Sequence, residues 1–227
     1  MIIYGKQLFL HLLKNYPKKI QTVFLSKQCD PKLFSQIAKV TNKICSIDDR
    51  KAQALSRGGN HQGFIAEIED MELADFNDIK KGSFLIILNE VTDVGNIGAI
   101  IRSAYAFGAD GIILSGVKSV NLEGVIRTSS AAAFELPIVV YPSTLDMLNE
   151  LKQVGFSVYG ADMGGIDVRE VEFGPKKALM MGSEGSGIPP KIKERLDKIV
   201  SIKMGRSFDS LNVSAAAAIF CDRIANG

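Results

Sequence analysis

The second part of the chain alternates between strand-like and helix-like segments, and this alternation constrains the fold more than any other feature. The stretch SFLIILN at 83–89 contains a continuous hydrophobic run, as is typical of a strand buried on both faces of a sheet. Further strand-like runs lie at 111–115, 136–141, 156–161, 178–182 and 198–202. Helical stretches separate most of them, at 96–107, 121–133, 143–154, 189–196 and 210–224. The pattern predicts an α/β fold with a mostly parallel sheet covered by helices on both faces.

The first part of the chain forms a smaller alternating unit. Its predicted strands lie at 20–26, 43–47 and 63–69, and its predicted helices at 5–15, from Pro31 onward, and at 48–57. An acidic stretch without clear periodicity follows. We therefore expect a small α/β domain at 1–69, a linker at 70–82 and the larger α/β domain at 83–227.

Charge is distributed unevenly between these two parts. Residues 1–66 hold 11 Lys or Arg and 3 Asp or Glu, whereas the rest of the chain holds 16 and 22. A basic segment joined to an acidic one suggests a polyanion-binding module, although ordinary solvated lysines would produce the same excess. No apolar run has the roughly 18 residues of a membrane span.

The cysteines and histidines indicate a reducing compartment and no metal. Cys29, Cys45 and Cys221 are odd in number and lack a paired CxxC spacing, so three reduced thiols in a cytoplasmic protein are expected. His11 and His61 are the only histidines. We expect no metal site.

Ligands of open parallel sheets bind beyond the carboxyl ends of the strands, so the loops that follow strands hold the candidate site. In the first such loop Asn96 is a candidate helix cap. Arg102 lies off the apolar stripe of that helix, and the small residues Gly98 and Ala99 one turn earlier leave room for its side chain to run back toward Asn96. A structural ion pair with Glu90 or Asp93 is the alternative.

The other two loops are rich in small and polar residues. SEGSG at 183–187 lacks the GK[ST] of a phosphate-binding loop, and Glu184 would repel a phosphate. This carboxylate suits ribose hydroxyls, an amine or an arginine, unless the loop is only a tight turn. In the third loop Ser210 or Asp209 is expected to cap a helix, with Asn212 nearby. Helix capping alone would explain one polar residue at this position, but Ser210, Asn212 and Ser214 are three.

In this order, NEVTDVGNIGAIIRSA, LMMGSEGSGIP and IKMGRSFDSLNVSAAAA resemble the three motifs of the SpoU family of RNA ribose 2′-O-methyltransferases. The first segment, with GGNHQGFIAEI at 58–68, resembles the family's small substrate-binding domain. The resemblance implies a small α/β fold similar to that of the ribosomal proteins L30e and L7Ae. With that domain present, the chain is most similar to the subgroup that modifies a guanosine of large-subunit ribosomal RNA.

The resemblance implies a SPOUT-type α/β domain whose C-terminal segment forms a trefoil knot, and a homodimer packed through the knotted domains. It implies S-adenosylmethionine as cofactor, held largely by backbone groups of the second and third loops. The matching positions are Met181, Gly182, Ile202, Met204, Leu211 and Asn212.

The resemblance also assigns the chemistry. The catalytic positions are Asn96, Arg102, Glu184, Ser210 and Asn212. In the family the arginine is proposed as general base. Arginine stays protonated at ordinary pH, so polarising the hydroxyl or clamping a phosphate is the second role for Arg102. Glu184 is expected to orient Arg102 or Asn96, within one chain or across the dimer.

RNA contacts are expected from a polar corner in the first domain and from the third loop, at Arg57, Asn60, His61, Gln62 and Arg206. For His61 a hydrogen-bonded turn histidine is an equal alternative. The chain departs from the family pattern at Asn89, Val94, Lys203 and Arg206, which bears on loop geometry and choice of RNA.

Three other functions compete with methylation of ribosomal RNA. Transfer RNA is the alternative substrate of the same chemistry. A non-catalytic RNA-binding factor of ribosome assembly is a second possibility, which the presence of Asn96 and Arg102 disfavours. A nicotinamide-dependent oxidoreductase is a third, and the missing GxGxxG after the strand at 83–89 argues against it.

Overall fold

The computed structural model describes residues 1–206 and 210–227, and these form two compact units. The first unit comprises Met1–Glu72 and Leu122–Ala131, and the second comprises Leu73–Asn121 and Ala132–Gly227. Among the described residues, no helix is long and apolar enough to cross a bilayer.

The first unit is built on a four-stranded mixed sheet. Its strands are β1 (Ile2–Tyr4), β2 (Ile20–Leu25), β3 (Ile44–Ser46) and β4 (Phe64–Ile68), in the order β1-β4-β2-β3. Strand β4 is antiparallel to both neighbours, and β2 and β3 are parallel. Strand β1 was not predicted, because three residues are too few to show an alternating pattern.

Three helices connect these strands: α1 (Lys6–Asn15), α2 (Pro31–Val40) and α3 (Asp49–Leu55). Asp30 and Asp48 cap α2 and α3 by accepting hydrogen bonds from backbone N–H groups of their first turns. Fully buried apolar side chains of α1 pack toward the sheet, where the rings of Phe9 and Phe64 lie 5.3 Å apart.

Helix α6 (Leu122–Thr128) also belongs to the first unit, where it packs on β1. Glu123 Oε1 accepts a hydrogen bond from the Ile2 backbone N–H at 3.0 Å, and the Arg127 guanidinium lies 4.8 Å from the centre of the Tyr4 ring. The prediction of one helix over 121–133 was wrong. Ser130 and Ala131 adopt left-handed backbone angles, with φ of 53° and 71°, which end the helix.

The second unit contains a six-stranded sheet. Its strands are β5 (Phe84–Asn89), β6 (Gly111–Ser115), β7 (Ile138–Tyr141), β8 (Ser157–Asp167), β9 (Lys177–Met181) and β10 (Lys198–Ser201). The order is β10-β8-β9-β5-β6-β7, and every neighbouring pair is parallel. The predicted parallel α/β architecture is confirmed. All six residues of β5 are buried, as its unbroken apolar run predicted.

Helices of the second unit are α4 (Phe76–Ile79), α5 (Val94–Ala106), α7 (Thr144–Gln153), α8 (Pro190–Lys193) and α9 (Val213–Asn226). Helix α4 occupies part of the expected linker, and Asp75 caps it. Strand β8 runs six residues beyond its predicted end at 161, and α8 is a single turn. Helix α9 packs against α5, a contact that the alternation of strands and helices along the sequence did not predict.

The order of the strands brings two of the three loops together, and the packing of α9 on α5 brings the start of α9 to them. From β5 the chain continues to β6 on one side, whereas β9 lies on the other side of β5. Such a reversal of strand order leaves a crevice at the carboxyl ends of the strands. The loops after β5 and β9 therefore start side by side, and the segment after β10 returns there to begin α9.

Candidate active site

The first loop presents Asn96 from the first turn of α5. The helix begins at Val94, and Asp93 caps it, with Oδ1 accepting a hydrogen bond from the Asn96 backbone N–H at 2.7 Å. The prediction that Asn96 caps this helix was wrong. Because Asp93 takes that role, the Asn96 side chain is available for a longer-range contact.

The third loop presents Asn212 as the cap of α9. Its Oδ1 accepts hydrogen bonds from the backbone N–H groups of Ser214 and Ala215. The cap was expected at Ser210 or Asp209, but Ser210 precedes the helix by three residues, and Asp209 lies outside the described residues. With Oδ1 occupied at the helix, the Nδ2 group of Asn212 points to other acceptors.

Asn96, Glu184 and Asn212 form a closed hydrogen-bonded set, called here the Asn96–Glu184–Asn212 triangle. Glu184 Oε1 accepts from Asn96 Nδ2 at 2.9 Å and from Asn212 Nδ2 at 3.0 Å. Asn212 Nδ2 also lies 3.1 Å from Asn96 Oδ1. The triangle joins the loops that follow β5, β9 and β10. Hydrogen bonds to an ionised carboxylate are the stronger kind, so the triangle holds these loops in register.

Arg102 does not join the triangle within one chain. It is exposed and has no hydrogen bond or ion pair with residues 1–206 or 210–227. It follows Asn96 by six residues, which places it about 9 Å along the helix and about 120° around it. The apolar stripe of Ile97, Ile100, Ile101 and Ala104 is buried as predicted. The expected approach of the guanidinium to Asn96 is not seen.

A cavity of about 850 Å³ lies beside the triangle, within the size range of small-molecule sites. All six positions expected to hold the cofactor line it: Met181, Gly182, Ile202, Met204, Leu211 and Asn212. Glu184, Ser210 and Arg206 line it as well. Asn96 and Arg102 do not, so the structure separates the predicted site into a cavity wall and an adjoining surface.

The glycine loop closes one wall of this cavity. A Cβ on Gly182 would lie 2.2 Å from the Gly187 carbonyl carbon and 2.5 Å from the Ile188 nitrogen. Ser183 and Gly187 pair across the loop, and the Ser183 and Ser186 hydroxyl groups lie 2.7 Å apart. Only glycine at 182 permits this close approach of two backbone segments. The loop therefore offers backbone groups to a ligand in the cavity.

Two charged residues of the cavity wall were not predicted: Asp162 and Lys193, which form an ion pair with each other. Asp162 lies on the part of β8 that extends past the predicted strand end, and Lys193 is the last residue of α8. A polar residue at the carboxyl end of a parallel strand was the signal that could have identified Asp162.

Three of the positions expected to bind RNA are exposed on the first unit. Arg57 and Gln62 have left-handed backbone angles, with φ of 51° and 52°, and Asn60 lies between them. Arg57 also forms a 3.6 Å ion pair with Glu123, and Gln62 Oε1 accepts from the Lys6 backbone N–H. Arg206 belongs to the second unit and lines its cavity.

His61 differs from these residues because its side chain is only 6% exposed. Its Nδ1 accepts a hydrogen bond from the Gly63 backbone N–H at 3.1 Å, and its Nε2 lies 3.2 Å from Gln53 Nε2. Nδ1 thus has its donor inside the turn, and the Gln53 amide of α3 packs against the other ring nitrogen. The geometry favours a turn-stabilising histidine over one that contacts RNA.

No metal-binding arrangement is found among residues 1–206 and 210–227. No group of three His, Cys, Asp or Glu side chains there is placed to hold an ion.

Comparison with known proteins identifies the same two parts of the chain. The model of the SpoU rRNA Methylase family matches residues 83–222, and the model described as RNA 2′-O ribose methyltransferase substrate binding matches residues 2–74. An uncharacterized tRNA/rRNA methyltransferase of Archaeoglobus fulgidus is 32% identical, over 89% of each chain. A 23S rRNA (guanosine-2′-O-)-methyltransferase of Haemophilus ducreyi is 30% identical, over 96% of this chain and 94% of its own.

Solved structures have the same fold. The SpoU methyltransferase AviRb from Streptomyces viridochromogenes, crystallised with AdoMet, has a TM-score of 0.78 at 24% identity and covers 99% of this chain and 89% of its own. An AdoMet-bound rRNA methyltransferase from Sinorhizobium meliloti has a TM-score of 0.79 over 98% of this chain and 85% of its own. The family match, which spans all three loops of the site, leads to one conclusion: this chain belongs to the SpoU family of RNA methyltransferases.

Proposed function

We propose that the protein transfers a methyl group from S-adenosylmethionine to a ribose 2′-hydroxyl of RNA, with a guanosine of large-subunit ribosomal RNA as the target. One observation carries the proposal: the Asn96–Glu184–Asn212 triangle adjoins a cavity lined by all six positions expected to hold the cofactor. The ribosomal RNA target is supported by relatives of about 30% identity that are named for that reaction.

The cavity suits S-adenosylmethionine in size and in lining. Apolar side chains for an adenine ring include Met181, Ile202 and Leu211, and the Gly182–Gly187 turn supplies backbone groups for a ribose. When bound, the cofactor supplies a methyl group on a sulfonium, which is already a good leaving group. The chain therefore has to align the hydroxyl with that methyl group and remove one proton.

The side chains at the mouth of the cavity suit these two tasks. In our proposal Asn212 and Ser210 hold the ribose near the cavity, and Glu184 fixes both asparagine amides. Arg102 then contacts the target ribose or its phosphate. Because α5 directs Arg102 away from the triangle, it serves the site of a second copy more readily than that of its own chain.

We infer a homodimer through the domain at 83–227. The exposed large apolar side chains of this domain include Met163 at 63%, Tyr105 at 49%, Ile166 at 47% and Ile219 at 38%. Contiguous apolar surface patches mark interaction sites, and we propose that these side chains contribute to one. Two of them lie on the packed helices α5 and α9, and two lie on the extension of β8.

We further propose the trefoil knot and an L30e/L7Ae-like fold for the first domain. The knot is supported by the path of the chain, which leaves the sheet at the edge strand β10 and returns to pack α9 on α5. We propose domain boundaries at 1–69, 70–82 and 83–227. Helix α6 lies within the last of these ranges but packs on β1 of the first domain. The basic first segment supplies phosphate attraction for RNA.

Transfer RNA is the second candidate substrate, because the Archaeoglobus fulgidus relative is named a tRNA/rRNA methyltransferase. The three free thiols fit a reducing compartment, and we propose the cytoplasm. A non-catalytic assembly factor is disfavoured by the intact triangle.

The decisive experiment supplies labelled S-adenosylmethionine with naked ribosomal RNA, large subunits or transfer RNA, followed by alkaline hydrolysis. A 2′-O-methyl group blocks cleavage of the adjacent linkage, so we expect labelled dinucleotides from ribosomal RNA. Label in transfer RNA alone would show that transfer RNA is the substrate and would leave the proposed reaction unchanged. Absence of label from all three RNAs, with the cofactor bound, would refute the proposed activity.

A further inference from the structure

Glu184 places one carboxylate oxygen in the triangle and leaves the other unengaged. Oε1 accepts from the amides of Asn96 and Asn212, at 2.9 and 3.0 Å. Oε2 has no hydrogen bond or ion pair with residues 1–206 or 210–227. The side chain is exposed and lines the cavity. An ionised carboxylate is an acceptor only, so the second oxygen is free to take a hydrogen bond from a substrate hydroxyl.

Other described groups at this position are poorly suited to accept a proton. Asp162 is the second carboxylate of the described cavity wall, and Lys193 neutralises it in an ion pair. Asp93 uses Oδ1 to cap α5 and does not line the cavity. Arg102 carries a guanidinium, which is a donor and has no acceptor site. The asparagines of the triangle and Ser210 are not bases at neutral pH.

We propose that Glu184 is the general base that takes the proton of the ribose 2′-hydroxyl. This inference rests on the proposed function and assigns the proton acceptor within it. The two amide donors hold the carboxylate through Oε1, which leaves Oε2 for the hydroxyl. Arg102 then acts as a donor to the same ribose or to its phosphate, which is the role its permanent charge suits.

The step balances without any further reactant. The hydroxyl proton passes to Glu184 Oε2, the hydroxyl oxygen forms a bond to the methyl carbon, and the electron pair of the broken carbon–sulfur bond stays on sulfur. The products are a methyl ether, a neutral thioether and protonated Glu184. The carboxyl group then loses its proton to water and returns to the starting state.

Glu184→Gln separates basicity from positioning. The glutamine carbonyl oxygen can still accept from both asparagine amides, so the triangle is retained while the base is lost. We expect single-turnover methylation to fall by about 10²- to 10⁴-fold, the usual contribution of a general base. Affinity for S-adenosylhomocysteine should stay within twofold. Glu194→Gln is the matched control, because Glu194 is exposed at the end of α8 and outside the cavity wall.

Two further measurements identify the missing function as a base. With Glu184→Gln the rate should rise tenfold per pH unit, because hydroxide replaces the carboxylate, whereas the native enzyme should reach a plateau. Formate should raise the methylation rate of Glu184→Ala at least tenfold over its rate without formate, because formate returns a carboxylate to the vacated space. Glu184→Gln should not respond to formate.

A binding measurement tests the contact without turnover. The Glu184 carboxyl carbon is labelled with ¹³C and assigned by its loss in Glu184→Gln. In the presence of S-adenosylhomocysteine its resonance should shift with target RNA. It should not shift with the same RNA carrying a 2′-deoxyribose at the target nucleotide.

The proposal is overturned if Glu184→Gln methylates within threefold of the native rate, or if its pH profile parallels the native one. It is also overturned if the variant loses more than tenfold in affinity for S-adenosylhomocysteine, which would make Glu184 a structural residue. Equal resonance shifts with both RNAs would exclude contact with the hydroxyl. Native protein that binds the cofactor and methylates no RNA refutes the proposed function itself, so the two failures are distinguishable.

Discussion

Asn96 and Glu184 are 88 residues apart in the sequence, yet Asn96 Nδ2 lies 2.9 Å from Glu184 Oε1. The contact exists because β5 and β9 are neighbours in the sheet, so the loops that follow them start side by side. Asn212 joins both from the start of α9.

Asn96→Asp should abolish methylation while leaving the helix intact. The variant places a second carboxylate beside Glu184, and repulsion replaces a charge-assisted hydrogen bond. Asp93 still caps α5, so the circular dichroism spectrum should be unchanged. Single-turnover rate and affinity for S-adenosylhomocysteine are measured together. Native activity in Asn96→Asp would show that the Asn96–Glu184 contact is not used.

Arg102→Ala should abolish transfer and leave cofactor affinity within twofold, because Arg102 does not line the cavity. Its side chain has no partner among the described residues, so the melting temperature should also be unchanged. Isothermal titration with S-adenosylhomocysteine and a melting curve check both points. Arg195→Ala, also at an exposed arginine, is the control. Collapse of cofactor binding in Arg102→Ala would contradict the assignment of Arg102 to the RNA side.

Asn212 should contribute to stability and to activity through different atoms. Asn212→Ala removes the cap of α9 and should lower the free energy of unfolding by about 0.5–2 kcal/mol. Asn212→Asp keeps the capping oxygen and loses the amide donor, so the cap of α9 should be restored without activity, while repulsion between the new carboxylate and Glu184 offsets part of the regained stability. Ser143→Ala removes the cap of α7, away from the cavity, and should cost stability only. Chemical denaturation and methylation assays distinguish the three variants.

Gly182→Ala should prevent cofactor binding. The new methyl group would lie 2.2 Å from the Gly187 carbonyl carbon, and the backbone on both sides would have to move. We expect at least a tenfold loss of affinity for S-adenosylhomocysteine and a lower melting temperature. Gly174→Ala is the matched control, since its nearest contact would be an ordinary 3.6 Å from Ser157 Oγ. Equal behaviour of the two variants would rule out the tight loop.

The cysteines should differ sharply in reactivity. Cys45 is exposed, whereas Cys221 is fully buried in α9, and burial raises the pKa of the Cys221 thiol to about 12. Thiolate is the reactive form, so iodoacetamide at pH 8 should modify Cys45 long before Cys221. Mass spectrometry of tryptic peptides follows both sites, and urea should bring Cys221 to the rate of an unfolded thiol. Early modification of Cys221 in the folded protein would contradict the packing of α9.

The sequence by itself determined the architecture and the positions to examine. Unbroken apolar runs such as 84–88 predict strands buried on both faces, and their alternation with helices predicts a parallel sheet. Both signals are local, because they depend on side-chain periodicity and on the covalent order of the elements. The loops after strands were therefore found without knowledge of strand order, and the motif resemblance selected three of them.

Only the tertiary structure decided which groups meet and what each atom does. The caps of α5 and α9 are Asp93 and Asn212, whereas Asn96 and Ser210 or Asp209 were predicted. Several neighbouring polar residues compete for the same backbone N–H groups, and the sequence does not show which of them succeeds. The break at Ser130 and the burial of His61 depend on packing that periodicity does not encode. The partners of the two Glu184 carboxylate oxygens also depend on the tertiary structure. The sequence specifies the residue type, but the fold determines how many hydrogen-bond partners each of its atoms has.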